Sequence, residues 1–183
     1  MTSPSATRRL LATCSLLLSY PDPSTVDRLP LVRGHLGDLP TPSRAALSRF
    51  ADWLDGSGVL PAQEHYVEIF DRRRKACLYL TYFLNGDTRG RGMALVGFKE
   101  EYQRVGFTLD SGELPDFLPV VLEFGAVGDL DAALQILGRH RAGLGARDSG
   151  APGAVRPAEV QVPAHVPLVR AADPLSVRLA GPD

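Results

Sequence analysis

HYVEIFDRRRKACLYLTYFLNGDTRGRG, residues 65–92, is the segment around which the rest of the chain is organised. Its first part places apolar and aromatic side chains at helical spacing. These side chains are Tyr66, Val67, Ile69 and Phe70. Pro61 fits the first turn of such a helix, because a proline there gives up no needed hydrogen bond. We therefore expect a helix that buries this face.

A second group of apolar and aromatic side chains follows a cationic run and has the i, i+1, i+4, i+5 spacing of another buried helical face. The group consists of Leu78, Tyr79, Tyr82 and Phe83. Asn85 or Gly86 can end that helix in the left-handed conformation. Asp87 or Thr88 can cap the helix that follows. The pattern predicts a helical hairpin, and since it contains no catalytic signature, it favours a docking scaffold over an active site.

Length and composition indicate one domain with a core of its own. The chain has 183 residues and a formal net charge of −1, which gives no general attraction to nucleic acid or to an anionic membrane. Its two cysteines, Cys14 and Cys77, lie at apolar helical positions and form no C-x-x-C pair. We expect buried free thiols, which suit a reducing compartment.

The N-terminal region has two interpretations. Arg8 and Arg9 followed by LLATCSLLLS resemble a short signal peptide, and residues 11–14 loosely resemble a lipoprotein cleavage box. Against this, the apolar residues keep the spacing of a helix packed on a core. They are Leu10, Leu11, Cys14, Leu17 and Leu18. We predict an ordinary first helix, and no transmembrane helix, because no apolar run approaches the roughly 20 residues that a span requires.

Two further helices are expected before the central segment. Val26 to Leu36 can hold a short helix interrupted by Pro30. Thr41-Pro42-Ser43 is typical of a cap followed by a first-turn proline, and it begins a helix that Gly56-Ser57-Gly58 closes. The buried face of that helix consists of Leu47, Phe50 and Leu54.

Three helices are expected after the central segment. The first runs from Met93 to Val105 and ends at Gly106, the second tolerates Pro119 in its first turn, and the third is capped by Asp129. Their buried faces are Leu95, Phe98, Tyr102 and Val105; Leu118, Val121, Leu122 and Gly125; and Leu130, Ala133, Leu134 and Leu137. No strand-like alternation occurs in this core, so the predicted fold is all-α, a single-domain helical bundle.

The C-terminal region differs in character. From Gly143 onward, glycines and prolines interrupt every candidate helix, and the intervening valines show no sustained period. We expect a helical domain over residues 1–144 and an irregular Pro/Gly-rich tail, disordered or loosely draped, over residues 145–183.

The sequence contains few motifs that would indicate a catalytic, metal-binding or nucleotide-binding site. The glycines near Thr88 lack the G-K-[ST] ending of a P-loop, and the four histidines have no metal-ligand spacing with the cysteines. The basic run Arg72 to Lys75 fits a solvated helix junction, an acidic or peptide partner, or a small regulatory or nucleic-acid-binding module. We predict neither an enzyme nor a metal site.

A group of carboxylates allows two interpretations. Asp116 can cap the helix it precedes, and Glu123 lies about two turns further on. Together with Glu113 they are either a cap with surface acids or polar anchors for a peptide lying in a groove.

Four segments resemble the respiratory nitrate reductase assembly chaperones, the delta subunit or NarJ-type branch of the molybdoenzyme chaperone group. They are LLSYPD (17–22), HYVEIFDRRRKACLYLTYFLNGDTRGRGMAL (65–95), FKEEYQRVGF (98–107) and ELPDFLPVVLEF (113–124). The similarity extends to about Leu144, and because the segments are long and keep their order, it is specific.

The resemblance implies a cytoplasmic all-helical chaperone that is not part of the mature reductase. Family members bind the catalytic (alpha) subunit, usually near its N-terminus, and promote insertion of the molybdenum guanine dinucleotide cofactor. Helix-in-groove docking suits the aromatic surface, although each aromatic residue also fits the core. The predicted partner-binding residues are Tyr66, Phe70, Asp71, Tyr79, Tyr82, Asp87, Arg89, Arg91, Glu113, Asp116 and Glu123.

Two departures from the family pattern stand out. Phe117 occupies the position after ELPD where the family usually has histidine. Beyond Leu144, where relatives continue with further helices, this sequence has no helical period. We expect a truncation or an altered reading frame there, which would leave an apolar face of the preceding helices uncovered.

Overall fold

The computed structural model describes residues 3–39, 41–73, 76–82, 89–109, 112–141 and 168–170. The helices are α1 (Pro4–Leu18), α2 (Pro23–Asp27), α3 (Leu29–His35), α4 (Thr41–Ser57), α5 (Val59–Tyr66), α6 (Arg89–Arg104), α7 (Leu118–Val127) and α8 (Leu130–Arg139). A 3₁₀ turn (Leu36–Asp38) follows α3, a π-helical turn (Val67–Asp71) follows α5, and two short strands are β1 (Phe107–Leu109) and β2 (Leu168–Arg170). The predicted all-α class is confirmed.

The predicted first helix is present as α1. Ser3 caps it by accepting a hydrogen bond from the backbone N–H of Ala6 at 3.2 Å, and Pro4 occupies the first turn. The helix ends before Ser19, whose backbone N–H donates to the carbonyl of Leu16. Within the described ranges no helix combines the length and apolar character needed to cross a bilayer.

Helices α1 and α7 form the main packing contact of the molecule. Arg8 on α1 donates hydrogen bonds to the carbonyl oxygens of Gly125, Ala126 and Gly128, at 3.2, 3.0 and 3.1 Å, around the end of α7. A guanidinium at this position satisfies carbonyls that have no helical partner and complements the negative end of the helix dipole.

Gly125 allows α7 to lie against α1 and α8. A Cβ atom at this position would come within 2.7 Å of both the Ala133 Cβ and the Leu11 Cδ1. Ala133 is fully buried and Leu11 nearly so, so an added methyl group would have to displace packed neighbours. The glycine predicted on the buried face of α7 is therefore a packing requirement.

Two apolar clusters make up the core. The larger surrounds α7 and includes Tyr102, Val121 and Phe124. The smaller joins α1 to α3, α4 and α5 through residues such as Leu29 and Leu54, with the predicted α4 residues Leu47 and Phe50 packed against it. Both clusters reach α1, so the first helix links the two halves of the fold.

Several sequence signals for helix ends are confirmed. Asp129 accepts a hydrogen bond from the backbone N–H of Ala132 at 2.9 Å and caps α8. Gly106 follows α6 with a φ of 80°, the left-handed conformation in which glycine is favoured. The sequence suggested that Pro30 interrupts a helix. In the structure Pro30 lies instead in the first turn of α3, where its missing N–H costs nothing.

The predicted second helix of the hairpin is wrong over residues 78–81. This segment pairs with residues 116–118: the Leu80 N–H donates to the Asp116 carbonyl at 2.9 Å, and the Leu118 N–H donates to the Leu78 carbonyl at 2.8 Å. Hydrogen bonds to a distant segment replace the helical ones, which local spacing alone could not reveal. Phe83 and the predicted turn at residues 85–88 lie outside the described residues.

Two smaller predictions also need correction. The sequence showed no strand, yet β1 pairs antiparallel with β2, with Phe107 opposite Arg170. Leu134, predicted on the buried face of α8, is 43% exposed, whereas Ile136 is 1% exposed and supplies the contact instead. Apart from β2, the tail lies outside the described residues, and its division from a helical domain at residue 144 stays a prediction.

Candidate partner-binding site

A narrow cleft brings together five of the residues predicted to bind a partner. They are Tyr66, Phe70, Asp71, Tyr79 and Glu113. Leu78 and Phe117 complete its lining. The cleft encloses about 20 Å³, roughly the space of one water molecule, so a bound group would rest at its mouth.

The π-helical turn shapes one wall of the cleft. The backbone N–H of Arg72 donates to the Val67 carbonyl, five residues earlier, at 3.0 Å. This wider turn rotates the side chains after Tyr66 away from the positions that a continuous α-helix would give them. The sequence predicted an ordinary helix here, and the change places Phe70 and Asp71 at the cleft.

Aromatic rings form most of the cleft surface. The Tyr66 and Phe70 ring centroids are 4.9 Å apart, and those of Tyr79 and Phe117 are 5.3 Å apart. Tyr20 packs edge-on against Tyr66 from behind, at 5.3 Å. These are favourable ring geometries, and Tyr66 is buried while Phe70, Tyr79 and Phe117 are half-buried. The rings are therefore fixed by packing and still partly accessible.

Two carboxyl groups, from Asp71 and Glu113, line the same cleft. The Glu113 Oε1 accepts hydrogen bonds from the Tyr79 hydroxyl at 3.1 Å and the Leu114 N–H at 2.9 Å. Burial nevertheless raises the pKa of Glu113, and burial also raises the pKa of Asp71. Burial raises the pKa of the Tyr79 phenol as well, which keeps its hydroxyl protonated as a donor.

Asp116 does not cap α7, which corrects the sequence prediction. The residue before α7 is Phe117, with no side-chain cap, and the fully buried Asp116 carboxylate faces Thr81 instead. Its Oδ2 accepts from the Thr81 N–H at 3.1 Å and from the Thr81 hydroxyl at 2.5 Å. In the described part of the chain, its Oδ1 has no hydrogen-bond partner. Asp116 thus anchors the wall that carries Tyr79 and is not a surface acid.

Arg91 approaches the same wall from α6. Its Nε donates to the Thr81 hydroxyl oxygen at 3.3 Å, and its guanidinium carbon lies 5.9 Å from the centroid of the Tyr79 ring. This distance is within the range of a cation–π contact. Arg91, one of the predicted partner-binding residues, therefore lies beside Tyr79 without lining the cleft.

The remaining predicted residues do not line the cleft. Tyr82 and Glu123 are half-buried, Arg89 is exposed at the start of α6, and Asp87 lies outside the described residues. Glu123 on α7 and the buried Asp116 do not form the carboxylate edge that the sequence suggested. Whether any predicted residue touches a partner stays a prediction.

Sequence reasoning missed two residues of the cleft. Leu78 was assigned to a helix core, and Phe117 was noted only as a departure from the family pattern. An aromatic residue directly before Leu118-Pro119 was the available signal for Phe117, since it stands at the entry to a helix. No local signal places Leu78 beside Tyr66.

Other surfaces of the described structure have fewer features of a partner-binding site. Arg72 and Arg73 lie 3.2 and 3.7 Å from Glu68 in exposed ion pairs, and Arg74 and Lys75 lie outside the described residues. An open groove of about 400 Å³ between α6 and α8 contains none of the predicted partner-binding residues among its lining. Among the described residues no group of His, Cys, Asp and Glu side chains is arranged to hold a metal ion.

A protein-family model and a curated relative that match this chain both concern nitrate reductase. A family model described as "Nitrate reductase delta subunit" matches residues 36–145. The "Probable nitrate reductase molybdenum cofactor assembly chaperone NarJ" of Bacillus subtilis (strain 168) is 35% identical over 127 residues, which cover 69% of this chain and 69% of that protein.

Two longer relatives match over part of their length. The "Nitrate reductase molybdenum cofactor assembly chaperone NarJ" of Escherichia coli (strain K12) is 36% identical over 117 residues, 62% of this chain and 50% of that protein. The "Nitrate reductase-like protein NarX" of Mycobacterium tuberculosis (strain ATCC 25618 / H37Rv) is 37% identical over 132 residues, 72% of this chain and 20% of that protein. The matched region is thus half or less of these two relatives.

Proposed function

Because the chain belongs to the nitrate reductase delta subunit family, we propose that it is a system-specific chaperone for respiratory nitrate reductase. It binds the catalytic subunit before assembly and promotes insertion of the molybdenum cofactor. The observation that carries this proposal is the 35% identity to a protein named as such a chaperone, over 69% of both chains. The role is one of binding in the cytoplasm, with no catalytic step.

The aromatic cleft is the proposed docking site for a segment near the N-terminus of the catalytic subunit. Its half-buried rings offer apolar area to one face of an amphipathic helix, and its carboxylates fix the orientation of that helix. Because the enclosed space is small, the helix lies across the cleft and inserts single side chains at its mouth.

A nucleic-acid-binding role is not favoured. The described cations of the basic run, Arg72 and Arg73, face Glu68, and the whole chain has a net charge of −1. A phosphate-binding surface needs a wider field of unpaired cations.

The test is calorimetric titration of the full chain with a synthetic peptide from the N-terminus of the partner nitrate reductase catalytic subunit. We expect saturable binding that persists when salt is raised, because apolar docking is weakly screened while phosphate binding falls steeply. Phe70→Ala should weaken binding at least about tenfold, the effect of losing roughly 1.4 kcal/mol.

The matched control is Leu134→Ala, which truncates an exposed apolar side chain 43% accessible on α8, away from the cleft. It should change the affinity less than about twofold, because an isolated surface residue contributes little. Absence of binding by a chain that melts cooperatively would refute the docking proposal. Equal losses in the two variants would refute the choice of the cleft.

A further inference from the structure

Asp71 is an acid at an aromatic cleft, and no described residue provides its counterion. In the described part of the chain it has no ion pair or hydrogen bond, since the neighbouring Arg72 and Arg73 are directed to Glu68. The second acid, Glu113, receives only neutral donors, the Tyr79 hydroxyl and a backbone N–H. Two negative groups therefore face one cleft, and no described cation lines it.

The rings beside these acids provide the other half of a cation site. Aromatic faces attract cations, most strongly where the cation is partly desolvated, and a planar guanidinium stacks on them more readily than an ammonium. Tyr79 already has the Arg91 guanidinium carbon 5.9 Å from its centroid, although Arg91 is not part of the cleft lining. The chain itself thus places one guanidinium near this ring.

On the premise of the proposed function, we propose that the mouth of this cleft binds one cationic side chain of the docking peptide, preferentially an arginine. The guanidinium rests between the Asp71 and Glu113 carboxylates and stacks on the ring of Tyr79 or Phe117. An acidic side chain would be repelled there, and a purely apolar one would cover two carboxylates without pairing them, which is unfavourable.

The fold gains little from these carboxylates. Burial disfavours the charged form of both, as their raised pKa values indicate, and Asp71 has no bonding role in the described structure. A bound guanidinium would supply the missing counter-charge and donate hydrogen bonds to both carboxylates. The arrangement suits recognition better than stability.

The first experiment probes the cleft without the client. N-acetyl-L-argininamide and its neutral counterpart N-acetyl-L-citrullinamide are titrated into the full chain, and the aromatic ring resonances of Tyr79 and Phe117 are followed by NMR. We expect saturable shifts with the arginine compound and at least about tenfold weaker binding of the citrulline compound. Equal responses to both compounds would overturn the proposal.

Substitutions that remove one carboxylate charge at a time show which side chain causes the arginine preference. Asp71→Asn should abolish the arginine preference, and because Asp71 makes no hydrogen bond in the described structure, the variant should fold normally by circular dichroism. Glu113→Gln provides a second test at the other carboxylate. Asp27→Asn removes the same charge from an exposed site on α2 and should keep the preference. A preference that survives both cleft variants would overturn the proposal.

The docking peptide supplies the second experiment. Replacing its arginines one at a time by citrulline should identify one position whose loss weakens binding to the wild type but not to Asp71→Asn. Peptide binding with no such position leaves the chaperone proposal intact and overturns this one. An arginine-selective cleft that binds no client peptide supports the cation site and refutes the docking assignment.

Discussion

Gly125→Ala is expected to destabilise the protein, although alanine is the better helix former. The new methyl group would lie 2.7 Å from both the Ala133 Cβ and the Leu11 Cδ1, about 1 Å inside normal carbon contact distance. Two simultaneous clashes in a buried site place the cost near the upper end of overpacking, about 3 kcal/mol. Improved helix propensity offsets about 1 kcal/mol. The expected net loss is therefore about 2 kcal/mol.

The measurement is thermal and urea unfolding followed by circular dichroism. For a chain of this size, about 2 kcal/mol corresponds to a Tm lower by roughly 4–8 °C. The control is Gly97→Ala within α6, where a Cβ atom would meet nothing within 4 Å. That variant should gain up to about 1 kcal/mol from helix propensity alone.

A second variant isolates the contact itself. Ala133→Gly removes one of the clashing atoms, so the double variant Gly125→Ala with Ala133→Gly should be more stable than the sum of the single effects predicts, by about 1 kcal/mol or more. If Gly125→Ala stabilised the protein as much as Gly97→Ala does, the close approach of α7 to α1 and α8 would be refuted. Additive single effects would refute the role assigned to Ala133.

Two further predictions concern charged side chains. Arg8→Met keeps much of the stem but removes the donors to three carbonyls at the end of α7, and it should cost about 1–3 kcal/mol in chemical denaturation. Arg44→Met, at an exposed position of α4, should cost little. Equal effects of the two substitutions would contradict the capping role. Glu113→Gln should stabilise the fold at neutral pH. Folding raises the pKa of Glu113 above its ordinary 4.5, so its ionisation opposes folding. The advantage of the glutamine variant should be absent below about pH 4.5, appear as the pH rises through the folded-state pKa, and persist above it; a difference that grows on acidification would contradict the sign.

Local sequence signals were sufficient for elements whose stabilising contacts are close in the chain. The Asp129 cap acts on a backbone N–H three residues away, and the Gly106 stop depends only on its own conformation. The first helix was predictable because its apolar residues repeat with the helical period. These features needed no knowledge of distant residues.

The errors arose where distant contacts determine the conformation. Leu78 and Tyr79 have helical spacing, but their segment pairs with residues 116–118, and Thr81 hydrogen-bonds to Asp116, 35 positions later. Because the Asp116 carboxylate bonds to Thr81, it does not cap α7 as predicted. A cap pattern tells which N–H groups a carboxylate can reach locally, and it carries no information about a competing donor elsewhere in the chain.

The sequence predicted most of the residues that line the cleft, but it did not predict how they are arranged. The aromatic residues and acids of the cleft come from segments already singled out in the sequence, but the π-helical turn and the extended wall that bring them together were not expected. Phe117 entered only through its contact with Tyr79, at 5.3 Å between ring centroids. A family resemblance can indicate which segments matter without showing how they face one another.

The Arg8 contacts with the end of α7 also affect how the protein folds while it is being synthesised. The donor and its first acceptor are separated by 117 positions in the chain. At roughly 5–20 residues per second, the first helix is synthesised about 6–23 s before its partner on α7. During that interval Leu11 lacks its neighbours on α7, and part of its apolar surface stays uncovered. The proposed chaperone of a subunit that is not yet assembled thus has an incomplete core of its own while it is being synthesised.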